Sequence, residues 1–364
     1  MNNLSHNAKW IFLSLTLTKS KLIKFFDYFK NTDNIFSASR EDYEKLSFLK
    51  QEDIEKLCKR DFSKALEIEA TCIKKNIFPI TADSEYYPEN LKLISNYPSV
   101  IYCKGNITNL NEKKCISVVG SRTPGNYGKN ITYSLSSSLT DMGFCIVSGM
   151  ADGVDSIAHK AALDKGGYTV AVLGCGADII YPKENFYIYE NISANGMIIS
   201  EYPPGTKPER FHFPERNKLI AALSVATVVT EANIKSGSLI TAELAIKYKK
   251  DLFAVPGNIT SKLSQGTNEL IKNGAHMIMT ADDIYNFYEN KYNLTNKKEK
   301  LQYDNLSENE KIILKALESE ELNIDSLKEK TNISISELST FLLIMELKEI
   351  IKKTDTDTYT LILN

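Results

Sequence analysis

Two short stretches carry residues suited to holding an anion. The first is Val118-Val119-Gly120-Ser121-Arg122-Thr123-Pro124. A buried strand that ends in Gly120-Ser121-Arg122 and leads into a helix offers backbone N–H groups and a guanidinium to a phosphate. A tight turn with an arginine on the surface would read the same way. The second is Thr230-Glu231-Ala232-Asn233-Ile234-Lys235-Ser236-Gly237-Ser238, where Ser236, Gly237 and Ser238 open a helix. First-turn N–H groups, two hydroxyls and the positive end of the helix dipole form an anion cradle. Gly237 lets another backbone come close. Helix capping by Ser236 needs no ligand, and both readings hold together.

Between these stretches lies Pro203–Pro214, followed by Glu215-Arg216-Asn217-Lys218. It carries Lys207, Arg210, Arg216 and Lys218 with Phe211, His212 and Phe213 interleaved. From Pro203 to Lys250 there are eight Lys/Arg against four Glu, a local excess of +4. Cations interleaved with aromatics suit single-stranded nucleic acid, because each phosphate offers a charge and each base a stacking face. Phe211 and Phe213 could equally anchor the loop, and at least one is expected to do so. Asp155 and His159 stand four apart on a helical stretch; a structural pair is favoured over an acid–base pair. Ser148 and Ser238 lack the G-x-S-x-G surroundings of an activated nucleophile.

The elements that position these residues alternate in type. Apolar runs rich in Val and Ile recur at Pro98–Gly105, Lys114–Gly120, Gly143–Gly149, Tyr168–Gly174, Gly196–Tyr202, Val225–Glu231 and Asp251–Gly257. Helical patterns such as Tyr127–Leu139, Val154–Asp164 and Ser236–Lys249 lie between them. This alternation predicts an α/β fold, an extended, doubly wound, mainly parallel Rossmann-like sheet, with ligands at the carboxyl ends of the strands. Residues 1–76 show only helical spacing and read as a small all-helical domain. Residues 77–288 form the sheet domain, 289–303 a polar linker, and 304–364 three helices and a two-stranded ribbon, a winged-helix-like pattern.

Composition narrows the classes. The 364 residues are 43% hydrophobic and 25% charged, with a net charge of −2. Nucleic acid must therefore be held by a local patch rather than by a global field. Six scattered cysteines without a C-x-x-C pair suit a reducing cytoplasm. Four separated histidines give no readable metal site, and no cofactor fingerprint of the G-x-G-x-x-G kind is present. The apolar run Trp10–Leu17 is too short to span a bilayer, so no membrane association is expected.

Taken in order, the motifs resemble one known family. They are Val119–Arg122, Ser148–Asp155 with Ala158-His159, Leu173–Gly176 with Tyr181-Pro182, Ser200-Glu201, Phe213–Asn217, Ser236–Ser238 with Thr241-Ala242, and Val255–Gly257. Together, from about Ile77 to Phe287, they resemble the DNA-processing protein A family (DprA, also called Smf). The resemblance implies a protein that binds incoming single-stranded DNA during natural transformation, protects it and loads the RecA recombinase. It further implies a homodimer formed through the Rossmann-like domain, a SAM or helix-hairpin type for the helical domain of residues 1–76, and no catalysed reaction. The family's pocket arginine falls on Arg122, its basic and aromatic residues on Lys207, Arg210 and Phe211, and its Ser-Gly-Ser turn on Ser236–Ser238. The chain departs from the family at Asp152, where a basic residue is usual, and at Lys218, where a lysine stands for an arginine.

Residues 304–364 hold seven Lys against thirteen Asp/Glu. A winged helix that reads duplex DNA carries a basic recognition face, so this domain is expected to contact protein rather than DNA. Two rivals remain. One is a nucleotide-monophosphate phosphoribohydrolase, whose P-G-G-x-G-T-x-x-E loop does not align with Lys235–Glu243. The other is a winged-helix regulator of duplex DNA.

Overall fold

The computed structural model describes residues 4–292, 306–317, 321–348, 350–354 and 358–361. The chain divides into two compact units, Met1–Leu294 and Thr295–Asn364. The first opens with helices α1 (His6–Thr16), α2 (Lys19–Phe29), α3 (Thr32–Ser37), α4 (Arg40–Glu44), α5 (Gln51–Lys59) and α6 (Ser63–Lys74). Short polar side chains start several of them, as capping requires. Ser5 accepts from the Ala8 N–H at 3.0 Å, Asn31 caps α3, and Ser39 with Asp42 closes a capping box on α4. Phe12, Phe36 and Phe62 meet in the middle, with ring centroids 4.5–6.0 Å apart.

The sheet follows. In chain order it comprises β1 (Ile77–Thr81), β2 (Val100–Gly105), β3 (Cys115–Val119), α7 (Asn126–Asp141), β4 (Cys145–Ser148), α8 (Val154–Asp164), β5 (Thr169–Leu173), α9 (Phe186–Asn195), β6 (Met197–Ser200), α10 (His212–Leu223), β7 (Ala226–Val229), α11 (Ser238–Lys247), β8 (Asp251–Ala254), α12 (Gln265–Lys272), β9 (His276–Met277) and α13 (Ala281–Tyr292). Each of the seven apolar runs is a strand, β2 to β8. Strands β1 and β9 escape the pattern: β1 is interrupted by Pro79 and leaves Phe78 exposed, and β9 is two exposed residues at the sheet edge.

The strand order is β1-β2-β6-β5-β4-β3-β7-β8-β9. Every pairing from β6 to β9 is parallel, while β2 joins β6 and β1 joins β2 antiparallel. The chain winds outward from β3 through β4, β5 and β6, then crosses back to lay β7, β8 and β9 on the other side of β3. The winding therefore reverses between β3 and β7, which run in register from Ile116↔Ala226 to Val119↔Val229. This is the doubly wound, mainly parallel arrangement predicted from the sequence.

Alternation along β3 shows how the two faces are filled. Ile116 and Val118 pack with Leu135, Leu139, Phe253 and Tyr288 on one face. Cys115 and Val119 belong to the other core, which continues without a break into Trp10, Leu13 and Phe25 of the N-terminal helices. Ser117, fully buried, donates to the Ile220 carbonyl at 2.7 Å and pairs with Ser224. All six cysteines are free and all but Cys58 are buried. Among the described residues no helix is long and apolar enough to cross a membrane.

Two expectations change in detail. Helix α13 runs to Tyr292, into the segment read as a linker, and residues 293–303 of that linker lie outside the described residues. The connection after β6 is also shorter than it reads. Helix α10 begins at His212, so His212, Phe213 and Pro214 are helical rather than part of the connection, and Arg216, Asn217 and Lys218 follow on the same helix.

The second unit holds α14 (Glu308–Leu317), α15 (Ile324–Thr331), α16 (Ile335–Leu347), β10 (Ile351–Lys353) and β11 (Tyr359–Leu361). Asn323 caps α15 and a Ser334–Glu337 box caps α16. Ile313, Leu327, Leu338, Leu342, Met345 and Ile351 form its own core. Strands β10 and β11 pair antiparallel, Ile351 opposite Leu361, which completes the winged-helix order. Residues 355–357 lie outside the described residues.

Candidate functional site

The carboxyl ends of β3 and β7 are adjacent because the sheet reverses its winding there, and a crevice opens at such a point. A cleft of about 730 Å³ occupies it. Gly120, Ser121 and Arg122 from the β3 loop line it, together with Ser236, Gly237 and Ser238 from the β7 loop, and Arg210, Arg216 and Asn217 from the third stretch. Three segments up to about 120 positions apart in the chain thus meet in one concavity. Lys207, Phe211 and Lys218 do not line it.

The β3 loop is held by close packing. A Cβ on Gly120 would lie 2.7 Å from Val154 Cγ2 and 2.8 Å from the Glu231 carbonyl oxygen, so only glycine fits. The Ser121 N–H donates to the Glu231 carbonyl at 2.7 Å, and the Ser121 carbonyl accepts from the Val154 N–H at 3.1 Å. The Thr123 N–H is taken by Ser121 Oγ at 3.1 Å. With these groups occupied, the loop presents chiefly the Arg122 guanidinium. That side chain is exposed and lies 5.8 Å from the Phe213 ring centroid. The buried Glu231 carboxylate accepts from the Gly125 N–H at 2.8 Å and fixes the approach to α7. Nothing in the spacing of the sequence singles it out for that role.

Gly237, not Ser236, occupies the N-cap of α11, and no side chain caps the helix; Ser236 acts from one residue earlier. Ser236 Oγ accepts the Ser238 N–H at 3.3 Å and pairs with Ser238 Oγ at 2.7 Å. The Leu239 and Ile240 N–H groups return to Ser236 and Gly237 carbonyls. A Cβ on Gly237 would meet nothing within 4 Å, so the space beside it is open. The turn therefore offers hydroxyls and a helix end rather than a full set of free amides.

Arg216 does a different job from the surface phosphate contact expected of it. It is 4% exposed, and Nη1 donates to the carbonyls of Gly149 and Val172, at the ends of β4 and β5. Its Nε donates to Asn217 Oδ1 at 3.1 Å. Helix α10 carries it beneath the cleft floor, where burial lowers its pKa and the nearby Asp155 charge works the other way. Burial likewise raises the Asp155 pKa, against the pull of Arg216 and the Ala151, Ser148 and Gly149 hydrogen bonds. Lys218 is also diverted: its Nζ is ion-paired with both Glu215 oxygens at 2.6 Å. Phe211 is 64% exposed and Phe213 is the anchor, stacked beside Tyr181 at 5.6 Å.

Asp155 and His159 are not hydrogen-bonded to each other. Asp155 accepts from the Gly149 and Ala151 N–H groups at 3.2 and 3.4 Å, while His159 Nδ1 pairs with Thr169 Oγ1 at 2.8 Å. Burial, with the Arg216 charge adding to it, pushes the His159 pKa down to about 3. The unfolded chain takes up this proton near 6.5 and the folded chain only near 3, so stability falls as pH drops through that window. The expected loss is about 3 kcal/mol between pH 6.5 and pH 4. Denaturant unfolding of the wild type and His159→Gln at pH 7 and pH 4 checks this, the variant losing that much less.

Sequence reasoning left out Lys235, Asn233 and Tyr181, all of which line the cleft. Lys235 was visible as charge within the +4 stretch, but its direction depends on the turn at Asn233, whose side chain accepts the Lys235 N–H. The lining charges are Arg122, Arg210, Arg216 and Lys235 against Asp155. Glu243, the first acid after the Ser-Gly-Ser turn, is exposed and outside the lining. Among the described residues no group of His, Cys, Asp or Glu is arranged to hold a metal ion.

The fold and these motifs have counterparts among known proteins. The chain is 39% identical over 210 residues to the DNA processing protein DprA of Bacillus subtilis, covering 58% of this chain and 70% of that one. The X-ray structure of DNA processing protein A from Streptococcus pneumoniae superimposes with a TM-score of 0.68 at 33% identity, covering 76% of this chain and 96% of that chain. DNA processing protein A from Helicobacter pylori, known for its single-stranded DNA binding mode, gives a TM-score of 0.54 at 35% identity, over 59% of this chain and 97% of that chain. Residues 297–354 match the DprA winged helix domain. Residues 78–289, which hold the whole cleft, match the DNA recombination-mediator protein A family, and the chain belongs to that family.

Proposed function

We propose that this protein captures single-stranded DNA in the cleft between β3 and β7 and passes it to the RecA recombinase, without catalysing a reaction itself. The observation that carries the reading is the cleft: Arg122, Arg210 and Lys235 line an open groove at the point where the sheet reverses, above the buried Arg216 and Asp155. Phosphates would contact Arg122, Arg210, Lys235 and the Ser236–Ser238 turn, and Lys207 would add charge at the rim. Bases would stack on the exposed Phe211, at about 1–3 kcal/mol per base. The single-stranded DNA binding mode described for the Helicobacter pylori protein supports this choice of ligand, and the family's description as a recombination mediator supports the partner. Residues 77–288 are assigned as the DNA-binding domain and as the surface for a homodimer.

The test is a fluorescence-anisotropy titration of labelled single-stranded and duplex oligonucleotides at two salt concentrations. Preference for the single strand, falling steeply with salt, is the expected result. A preference for duplex would favour a winged-helix regulator, and no binding to either would favour a small-nucleotide ligand.

The second unit is assigned to protein contact. Helix α16, third in the winged-helix order, contains no Lys or Arg but does contain Glu337 and Glu346, and leaves Leu343 and Ile344 exposed. The isolated segment Thr295–Asn364, which has its own core, is expected to show no duplex binding at near-physiological salt. Electrophoretic mobility shift with duplex DNA checks it, and a retarded band would refute the assignment.

A further inference from the structure

The stretch carrying Lys207, Arg210 and Phe211 leaves β6 through a turn that is fastened from an unexpected direction. Glu201, immediately after β6, is almost wholly buried and pairs through Oε2 with Lys19, the first residue of α2. Asp178, in the loop after β5, is also buried and pairs through Oδ2 with Lys75, at the end of α6. The other Asp178 oxygen accepts the Gly205 N–H at 2.9 Å. Gly205 stands at φ +85°, inside a turn closed by the Thr206 N–H and hydroxyl on the Pro203 carbonyl at 3.2 and 2.7 Å. The Thr206 carbonyl accepts the Gly176 N–H at 2.8 Å. Lys207 is the next residue.

Both carboxylates thus belong to the sheet, and both lysines to the N-terminal helices. A buried carboxylate without its cation is strongly disfavoured and rearranges toward solvent or protonates. Burial pushes the Asp178 carboxyl up, but the Lys75 ion pair and the Gly205 N–H outweigh it and hold the pKa below its ordinary value. Removing Lys75 reverses that balance and frees the oxygen that holds Gly205.

We propose that Lys19 and Lys75 are positioning residues through which the N-terminal helices set the turn 201–206 and so place Lys207–Phe211 beside the cleft. The role in DNA affinity rests on the function proposed above; the hold on the turn does not. Neither lysine lines the cleft. Their loss should therefore lower affinity by misplacing the stretch, without removing a phosphate contact.

The experiment uses the full chain as wild type, Lys19→Ala, Lys75→Ala, the double variant and Lys75→Arg. Hydrogen exchange is followed at Gly176, Gly205 and Thr206, with the β6 amides as the internal reference. Exchange at those three positions is expected to rise about tenfold or more in Lys75→Ala and further in the double variant, with β6 unchanged and protection restored in Lys75→Arg. Anisotropy with a single-stranded oligonucleotide should show affinity reduced about three- to tenfold at an unchanged slope against log salt. Unchanged exchange in the turn overturns the proposal, and so does accelerated exchange across β6, which would make the lysines general stabilisers. A reduced salt slope would also overturn it, by showing that they contact phosphate directly. If the wild type binds no single strand, the functional reading fails, and the exchange measurement alone decides the hold on the turn.

Discussion

Arg122→Ala is expected to weaken single-stranded DNA binding by about 10–100-fold, equally for all base sequences. The guanidinium is exposed at the mouth of the cleft, held over Phe213, with its loop fixed beneath it by Gly120 and the Glu231 carbonyl. A charge-assisted hydrogen bond to phosphate is worth about 1.5–3 kcal/mol, which sets the range. Because phosphate carries no base identity, the loss is uniform. One lost phosphate contact also lowers the slope of log affinity against log salt by about 0.7 on a single strand. Anisotropy titrations at several salt concentrations read both quantities. Unchanged affinity would remove Arg122 from the site. A loss confined to particular sequences would mean that it reads bases.

Arg216→Ala is expected to act on stability first, by about 3–5 kcal/mol. The side chain is buried, its Nη1 serves the carbonyls that end β4 and β5, and it offsets the charge of the buried Asp155. Truncation leaves those groups unpaired together with a cavity. In a unit of this size the corresponding fall in Tm is about 5–8 °C. Thermal unfolding followed by circular dichroism measures it. Gly149→Ala should produce a similar defect by another route, since its Cβ would overlap the guanidinium. If Arg216→Ala melted with the wild type yet lost affinity and salt slope, Arg216 would be the phosphate contact that its sequence position suggests.

The contrast between these two arginines shows how far local reading reaches. Both stand in basic, motif-like stretches, and spacing treats them alike. What separates them is which face of an element each one occupies. Arg122 follows a strand end and projects from a turn, whereas Arg216 sits on the inward face of α10, whose start at His212 is masked by Pro214 and by flanking aromatics. Asp155 and His159 show the same limit. Their spacing is helical, as α8 confirms, but their partners are backbone amides and Thr169, brought in by β4 and β5. Glu231 closes a strand as an ordinary acid would, and its burial against Gly125 and Gly128 depends on α7 lying across it.

The order of strands and helices was legible along the chain because periodicity and Gly/Pro punctuation are local properties. So were the excess of positive charge between Pro203 and Lys250 and its absence from α16. Strand order is not local. Only the folded sheet places β7 beside β3, and that reversal brings Gly120–Arg122, Arg210 and Ser236–Ser238 around one groove. Tertiary packing also buries Arg216 and sets the N-terminal lysines on Glu201 and Asp178, whereas Lys218 is taken locally by Glu215, one turn earlier on α10. Which cations face a ligand and which hold the frame follows from desolvation. A charge carried into the interior must find partners there, and those partners come from segments that adjacency in sequence does not reveal.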